Sequence, residues 1–309
     1  MKVWKRSLPV WLLTLVMLLT ACGTPSQPDQ PDGTETWREA YEETGAYLQA
    51  QTAPTVGSIG GEWAVIGLSR ARLLSDETAQ SYEQTVEDYV KQAGSVRLHH
   101  AKSTENSRTI LGLTAAGYNA ANVAGVDLTA GLTDMAYLRA QGTNGPIWAL
   151  IALDCHGYDI PQCADGEEQT TREGLVAEIL SYQCSDGGWA LMGDESDVDM
   201  TAMALTSLAP YQEETDVKAA VDTALTYLSD AQQADGGFMS WGAANSESCA
   251  QVIVALTALG IDPAADSRFV KNGASPLDGL CAFACEGGGF RHSDEQMESD
   301  GMATEQGFY

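Results

Sequence analysis

Six short segments of this 309-residue chain place polar and aromatic side chains where apolar helices start. They hold Glu62 and Trp63, Glu105 and Arg108, Asn144 and Trp148, Asp197 and Asp199, Glu247 and Gln251, and Glu305 and Gln306. Two kinds of chemistry suit such groups. Side-chain oxygens at a helix start accept orphan backbone N–H bonds and suit the positive end of the helix dipole. If the six starts share one rim, polar and aromatic groups around a concave apolar site describe a ligand pocket. Asp197-Val198-Asp199 is the sharpest of these signals, and capping alone accounts for either carboxyl.

The elements that must position these groups repeat along the chain. Gln183-Cys-Ser-Asp-Gly-Gly-Trp189 recurs as Gln232-Gln-Ala-Asp-Gly-Gly-Phe238 and, more faintly, as Glu286-Gly-Gly-Gly-Phe290. The three aromatics are 49 and 52 residues apart. Apolar Ala-Leu segments follow, with leucines at 68, 113, 150, 205 and 256. Such a period is the mark of a repeat architecture. Each period holds two helices. Val217, Val221, Ala224, Leu225 and Leu228 fall on one face of a helix that is wet on the other, whereas residues 200–209 are apolar almost all round. A wet helix alternating with a buried one predicts two concentric layers. Outer helices are expected to begin near 37, 77, 128, 170, 215 and 275, and inner ones near 60, 104, 145, 198, 247 and 302. In the motif, Gly188 and Gly237 would let the chain turn sharply between layers. Gln183 and Gln232 would cap neighbouring backbone, and Trp189, Phe238 and Phe290 would pack beneath the next helix pair.

Gln-x-x-Asp-Gly-Gly-Trp resembles the repeat motif of squalene cyclases and protein prenyltransferase β subunits. The resemblance spans roughly residues 37–309 and is clearest from 170 onward. It implies an all-α fold, an α/α toroid (α6/α6 barrel), whose last inner helix would lack its second half at Tyr309. Residues 60–64 and 144–150 look like those of a bacterial surface subgroup. Asp197-Val198-Asp199-Met200-Thr201-Ala202 is similar to the Asp-x-Asp-Asp-Thr-Ala acid motif of class II terpene cyclases. There a carboxylic acid protonates an alkene or epoxide, which requires a carboxyl kept neutral by burial and neighbours. By motif position Asp199 would be the acid and Asp197 would tune it. Met200 departs from the pattern, where bacterial cyclases have another Asp. The same toroid also occurs in cobalamin carriers and complement thioester domains, so the resemblance implies fold rather than function. Glu247, Cys249 and His292 only faintly echo a prenyltransferase zinc site, and no Cys-Gly-Glu-Gln thioester run exists. Neither a metal nor a cofactor is expected.

The N-terminus reads as an export signal. Lys2, Lys5 and Arg6 precede an apolar run from Leu8 to Leu19, too short for a permanent membrane span. Leu19-Thr20-Ala21-Cys22 resembles a bacterial lipobox, which implies lipidation of Cys22 and attachment to the extracytoplasmic face of the cell membrane. The expected organisation is a signal peptide at 1–21, a Pro/Gly/Asp/Gln-rich tether at 22–36 and the toroid at 37–309. The formal charge is −27, and residues 1–21 hold three bases and no acid. So acidic a chain disfavours nucleic acid and electrostatic adhesion to anionic lipid. Six further cysteines sit in a location that permits disulfides. Cys155 could pair with Cys163, Cys281 and Cys285 are expected to share a helix face, and buried free thiols are the alternative. Three functions suit this organisation. The first is binding of a small molecule (cobalamin-like or glycan) or a protein at the mouth, using Trp63, Glu105, Arg108, Asn144, Trp148, Gln251 and Gln306. The second is acid-initiated cyclisation by Asp199, and the third a structural interaction module.

Overall fold

The computed structural model describes residues 33–51 and 53–309, so the expected signal peptide and Cys22 lie outside the described residues. Six helical hairpins form the described chain. The inner helices are α2 (Glu62–Arg70), α4 (Thr104–Ala115), α6 (Asn144–Asp154), α8 (Val198–Leu208), α10 (Ser246–Ala258) and α12 (Gly301–Phe308). Each packs on the next, and α12 packs back on α2, which closes the ring. The outer helices are α1 (Gly33–Gln51), α3 (Asp76–Ala93), α5 (Met135–Arg139), α7 (Arg172–Ser181), α9 (Thr215–Ala231) and α11 (Pro276–Cys281).

Burial follows the residue pattern. In α9, Val217, Ala220, Val221, Ala224, Leu225 and Leu228 are buried while Lys218 and Asp222 pair on the wet face. In α6 the buried positions cover more than half of the helix surface, and the partly covered Asn144, Trp148 and Ile151 share the remaining face. One continuous core joins residues of all six hairpins except the contact of α1 with α12, where Leu48, Leu68 and Phe308 form a smaller cluster.

The repeat motif does its structural work at the outer layer. Gln183 Nε2 donates to the carbonyls of Gly187 and Ala220, and Gln232 Nε2 donates to those of Gly236 and Phe269. Each glutamine thus ties its own turn to the backbone of the next outer segment. Gly236 has a φ of +88°, and a Cβ there would collide with the Ser275 carbonyl at the start of α11. Gly288 plays the same part against the Glu43 carbonyl of α1, so the third copy closes the outer ring.

Three expectations need correction. The outer element near 128 is a 3-10 turn (Leu128–Leu132) followed by the single-turn helix α5. Thr133 and Met135 exchange backbone bonds with Thr170 and Glu168, and the Asp134 side chain caps a fresh helix, so the chain is drawn out of one continuous helix. Helix α1 begins at Gly33 rather than near 37. Helix α11 ends at Cys281, which leaves Cys285 in the following turn, and all six described cysteines are free thiols.

Glu305 locks the ring where α12 meets the loop before α2. Its Oε1 accepts from Gly60 N at 2.6 Å, while Oε2 is buried without a partner. Burial pushes its carboxyl up to about 7 against the pull of the Gly60 and Ala64 backbone. A raised carboxyl favours the fold while protonated. That contribution is complete below the ordinary glutamate value and is lost as pH rises through about 7. Glu305→Gln keeps the acceptor for Gly60 and removes the charge. It should raise stability at pH 8 by roughly 1–3 kcal/mol and change little at pH 4.5, read from urea midpoints at the two pH values.

Candidate functional site at the central mouth

All six inner helices start on one rim, and a cavity of about 280 Å³ opens there. Its walls include Trp63, Arg108, Asn144, Trp148, Asp197, Asp199, Gln251 and Gln306, which the sequence had placed at helix starts. A smaller cavity of about 110 Å³ lies against the same Trp63, Trp148, Met203 and Gln251 and reaches Arg70 and Tyr309. Trp63 stands between Trp148, tilted at 5.2 Å, and Tyr309, stacked at 5.3 Å. Gln251 Nε2 bonds the Tyr309 hydroxyl at 2.8 Å and Gln306 at 3.3 Å, which holds α10 to α12.

The two aspartates have separated roles. Asp197 is the N-cap of α8: Oδ1 accepts from Met200 N at 3.1 Å, and Oδ2 accepts from the Ser240 hydroxyl. Its position is set by Trp189, whose carbonyl accepts from Asp197 N at 2.9 Å. Asp199, two residues on, caps nothing. It faces the cavity with Oδ1 buried and without a hydrogen-bond partner. Burial pushes its carboxyl up to about 6, with Asp197 and Glu247 adding to the shift and the Ser248 and Ser240 hydroxyls opposing it. Asn144 Oδ1 is a second buried acceptor without a partner in the same wall.

Arg108 is held rather than free. Its Nε donates to the fully buried Glu62 at 2.9 Å and its Nη2 to Glu105 at 2.6 Å. Glu105 is therefore spent on Arg108 and does not line the cavity, a correction to its expected place on the rim. Burial pushes the Glu62 carboxyl up against the pull of Arg108. Glu247 meets His292 Nδ1 at 2.9 Å, but Cys249 is buried in the core with its thiol pushed up to about 12 by that burial. Among the described residues no three His, Cys, Asp or Glu side chains gather as a metal site.

Sequence reasoning missed Thr104, Leu191, Met200, Met203 and, most notably, Trp241. Strands β1 (Met239–Ser240) and β2 (Ala243–Ala244) pair as a hairpin whose turn is Trp241-Gly242. Trp241 has a φ of +51° and is 86% exposed, yet lines the cavity. The signal was a tryptophan beside a glycine, three residues after Phe238, in a segment that needs no aromatic for its core.

The ring, its two layers and the motif turns can be set against known structures. An ent-copalyl diphosphate synthase from Streptomyces platensis superposes with a TM-score of 0.50 at 16% identity, over 80% of this chain and 48% of that one. The fold is a terpene cyclase-like α/α toroid. This toroid spans about half the length of the synthase it matches. No protein-family model and no curated protein matches the sequence.

Proposed function

We propose that the toroid is a binding module that takes a small molecule at its central mouth, carried on the outer face of the cell membrane by a lipid on Cys22. The observation that carries the binding reading is the cavity itself: three tryptophans, Asp199 and Asn144 line one concave space, and the two polar residues each hold a buried oxygen without a hydrogen-bond partner. An unpaired buried acceptor costs roughly 1–3 kcal/mol, a cost that a donor or a cation in the cavity would offset. A volume of about 280 Å³ suits a metabolite-sized ligand and would enclose at most part of a corrinoid. Among the described residues no helix is long and apolar enough to cross a membrane, and attachment is assigned to the lipid.

Tryptophan fluorescence and thermal shift against a small-molecule panel test the binding reading. A hit should quench emission and raise the midpoint of unfolding, and Trp148→Ala should weaken it by at least tenfold while leaving the circular dichroism spectrum unchanged. A hit indifferent to Trp148→Ala would move the site away from the mouth. Cys22→Ala should release the protein from the membrane fraction.

A second reading, acid-initiated cyclisation, is favoured by one observation: Asp199 is a carboxyl raised to about 6 in an aromatic-lined cavity. Incubation with linear polyprenyl diphosphates tests it. Formation of a cyclic product, lost in Asp199→Asn, would put this reading first.

A further inference from the structure

The mouth's charge balance and its aromatics specify the ligand class, given that the mouth binds a small molecule at all. Among the described residues Arg108 is the one cationic side chain in the cavity wall, and both Glu62 and Glu105 already hold it. Asp197 and Asp199 then face the cavity with no cationic side chain of their own. Asp197 spends its oxygens on Met200 N and Ser240, whereas Asp199 Oδ1 meets no donor. Three tryptophans, Trp63, Trp148 and Trp241, line the same cavity beside Thr104, Asn144, Gln251, Gln306 and the apolar Leu191, Met200 and Met203. Trp63 and Trp148 meet at an interplanar angle of 57°, which forms a corner rather than one flat platform. Trp241 lines the same cavity from a hairpin turn with positive φ at both central residues, Trp241 at +51° and Gly242 at +83°. Such turns favour Asn or Gly, so a tryptophan at the first position accepts backbone strain to present its ring outside the core.

We propose that the mouth binds an organic cation, a quaternary or protonated alkylamine, with its charged end between Asp199 and the indoles of Trp63, Trp148 and Trp241. Indole faces attract a desolvated cation, and the Asp199 carboxylate, which no cationic side chain pairs, supplies the counter-charge. A flat sugar ring would call for a single stacking platform, and the corner and the acidic wall suit it less. The chain's formal charge of −27 concentrates cations near such a site and repels anions.

Choline chloride and 3,3-dimethylbutan-1-ol, which differ in charge far more than in shape, are the probes. They are titrated at constant ionic strength against the full chain, by tryptophan fluorescence and calorimetry, beside a panel of neutral monosaccharides. Choline should saturate and bind at least tenfold more tightly than the alcohol. Asp199→Asn and Trp241→Ala should each weaken it tenfold or more, with circular dichroism spectra that match the parent's. Choline does not titrate, so its affinity should fall as pH drops through about 6, where Asp199 takes up a proton. The groups facing Asp199 are Asp197 on α8, Glu247, Ser248 and Cys249 on α10, Ser240 on β1, Tyr309 after α12 and Arg108 across the cavity. Equal binding of choline and the alcohol overturns the assignment of a cation. A monosaccharide that binds through Trp148 while choline does not overturns it too, and leaves small-molecule binding at the mouth standing. Silence of every probe in both readouts counts against both.

Discussion

Replacing Trp189 by alanine should destabilise the protein by about 3–5 kcal/mol, among the largest losses available to a single truncation here. Trp189 is fully buried between the layers, and its Nε1 donates to the Ile179 carbonyl at 2.7 Å. Its backbone N donates to Thr201 Oγ1 at 2.9 Å, and its carbonyl receives Asp197 N. Truncation leaves a void and leaves the Ile179 carbonyl with only the Tyr182 N–H at 3.2 Å, and it loosens the turn that sets Asp197 at the mouth. Phe238 and Phe290 occupy the same place in the other two copies and have no ring N–H to donate. The motif therefore demands ring volume first, and Trp189→Phe should cost only about 1–2 kcal/mol. Urea midpoints followed by circular dichroism check both figures. Equal losses for the two variants would mean that the hydrogen bond, not the volume, dominates.

This contrast marks what the residues disclose before any coordinates. Helix starts and ring order were legible because apolar period and Gly-Gly punctuation are local properties. The starts of α4, α8 and α9 coincide with the residues expected from pattern alone, at 104, 198 and 215. The rim was legible for the same reason: helices that start together bring their first turns together. Depth was not legible. Periodicity assigns a face but not how far a side chain is covered, so Glu62 read as a rim group, yet it is fully buried under Arg108. Nor does sequence separate a cap from a free carboxyl two residues apart. That choice falls to the dihedral angles, since Asp197 is extended while Asp199 already lies within the helix. Trp241 escaped because its role comes from a turn placed over the mouth by the ring, which no local pattern records.

Removal of Arg108 is the second large effect, and its pH dependence says what Arg108 is for. Arg108→Met keeps most of the side-chain volume but leaves Glu62, fully buried, without a counter-charge. Breaking a buried pair by deleting one partner costs about 3–5 kcal/mol, far more than the surface pairs such as Lys218 with Asp222. Glu62 still has Gly57 N at 3.0 Å and Thr109 Oγ1 at 3.4 Å, which are too few donors for a buried carboxylate. Its carboxyl, already raised by burial, must rise further once Arg108 no longer pulls it down. A raised carboxyl favours the fold while protonated and disfavours it once ionised, so the loss should be largest at pH 8 and shrink towards pH 5. Glu62→Gln in the Arg108→Met background should restore most of the stability at pH 8, because the remaining amide carries no charge. Lost packing alone would give a deficit that does not vary with pH and is not rescued. Ligand affinity separates structure from recognition: if Arg108 only neutralises Glu62 and Glu105, the rescued double variant binds choline as the parent does. Lost binding in a stable double variant would place Arg108 in the recognition surface, as the helix-start pattern had suggested.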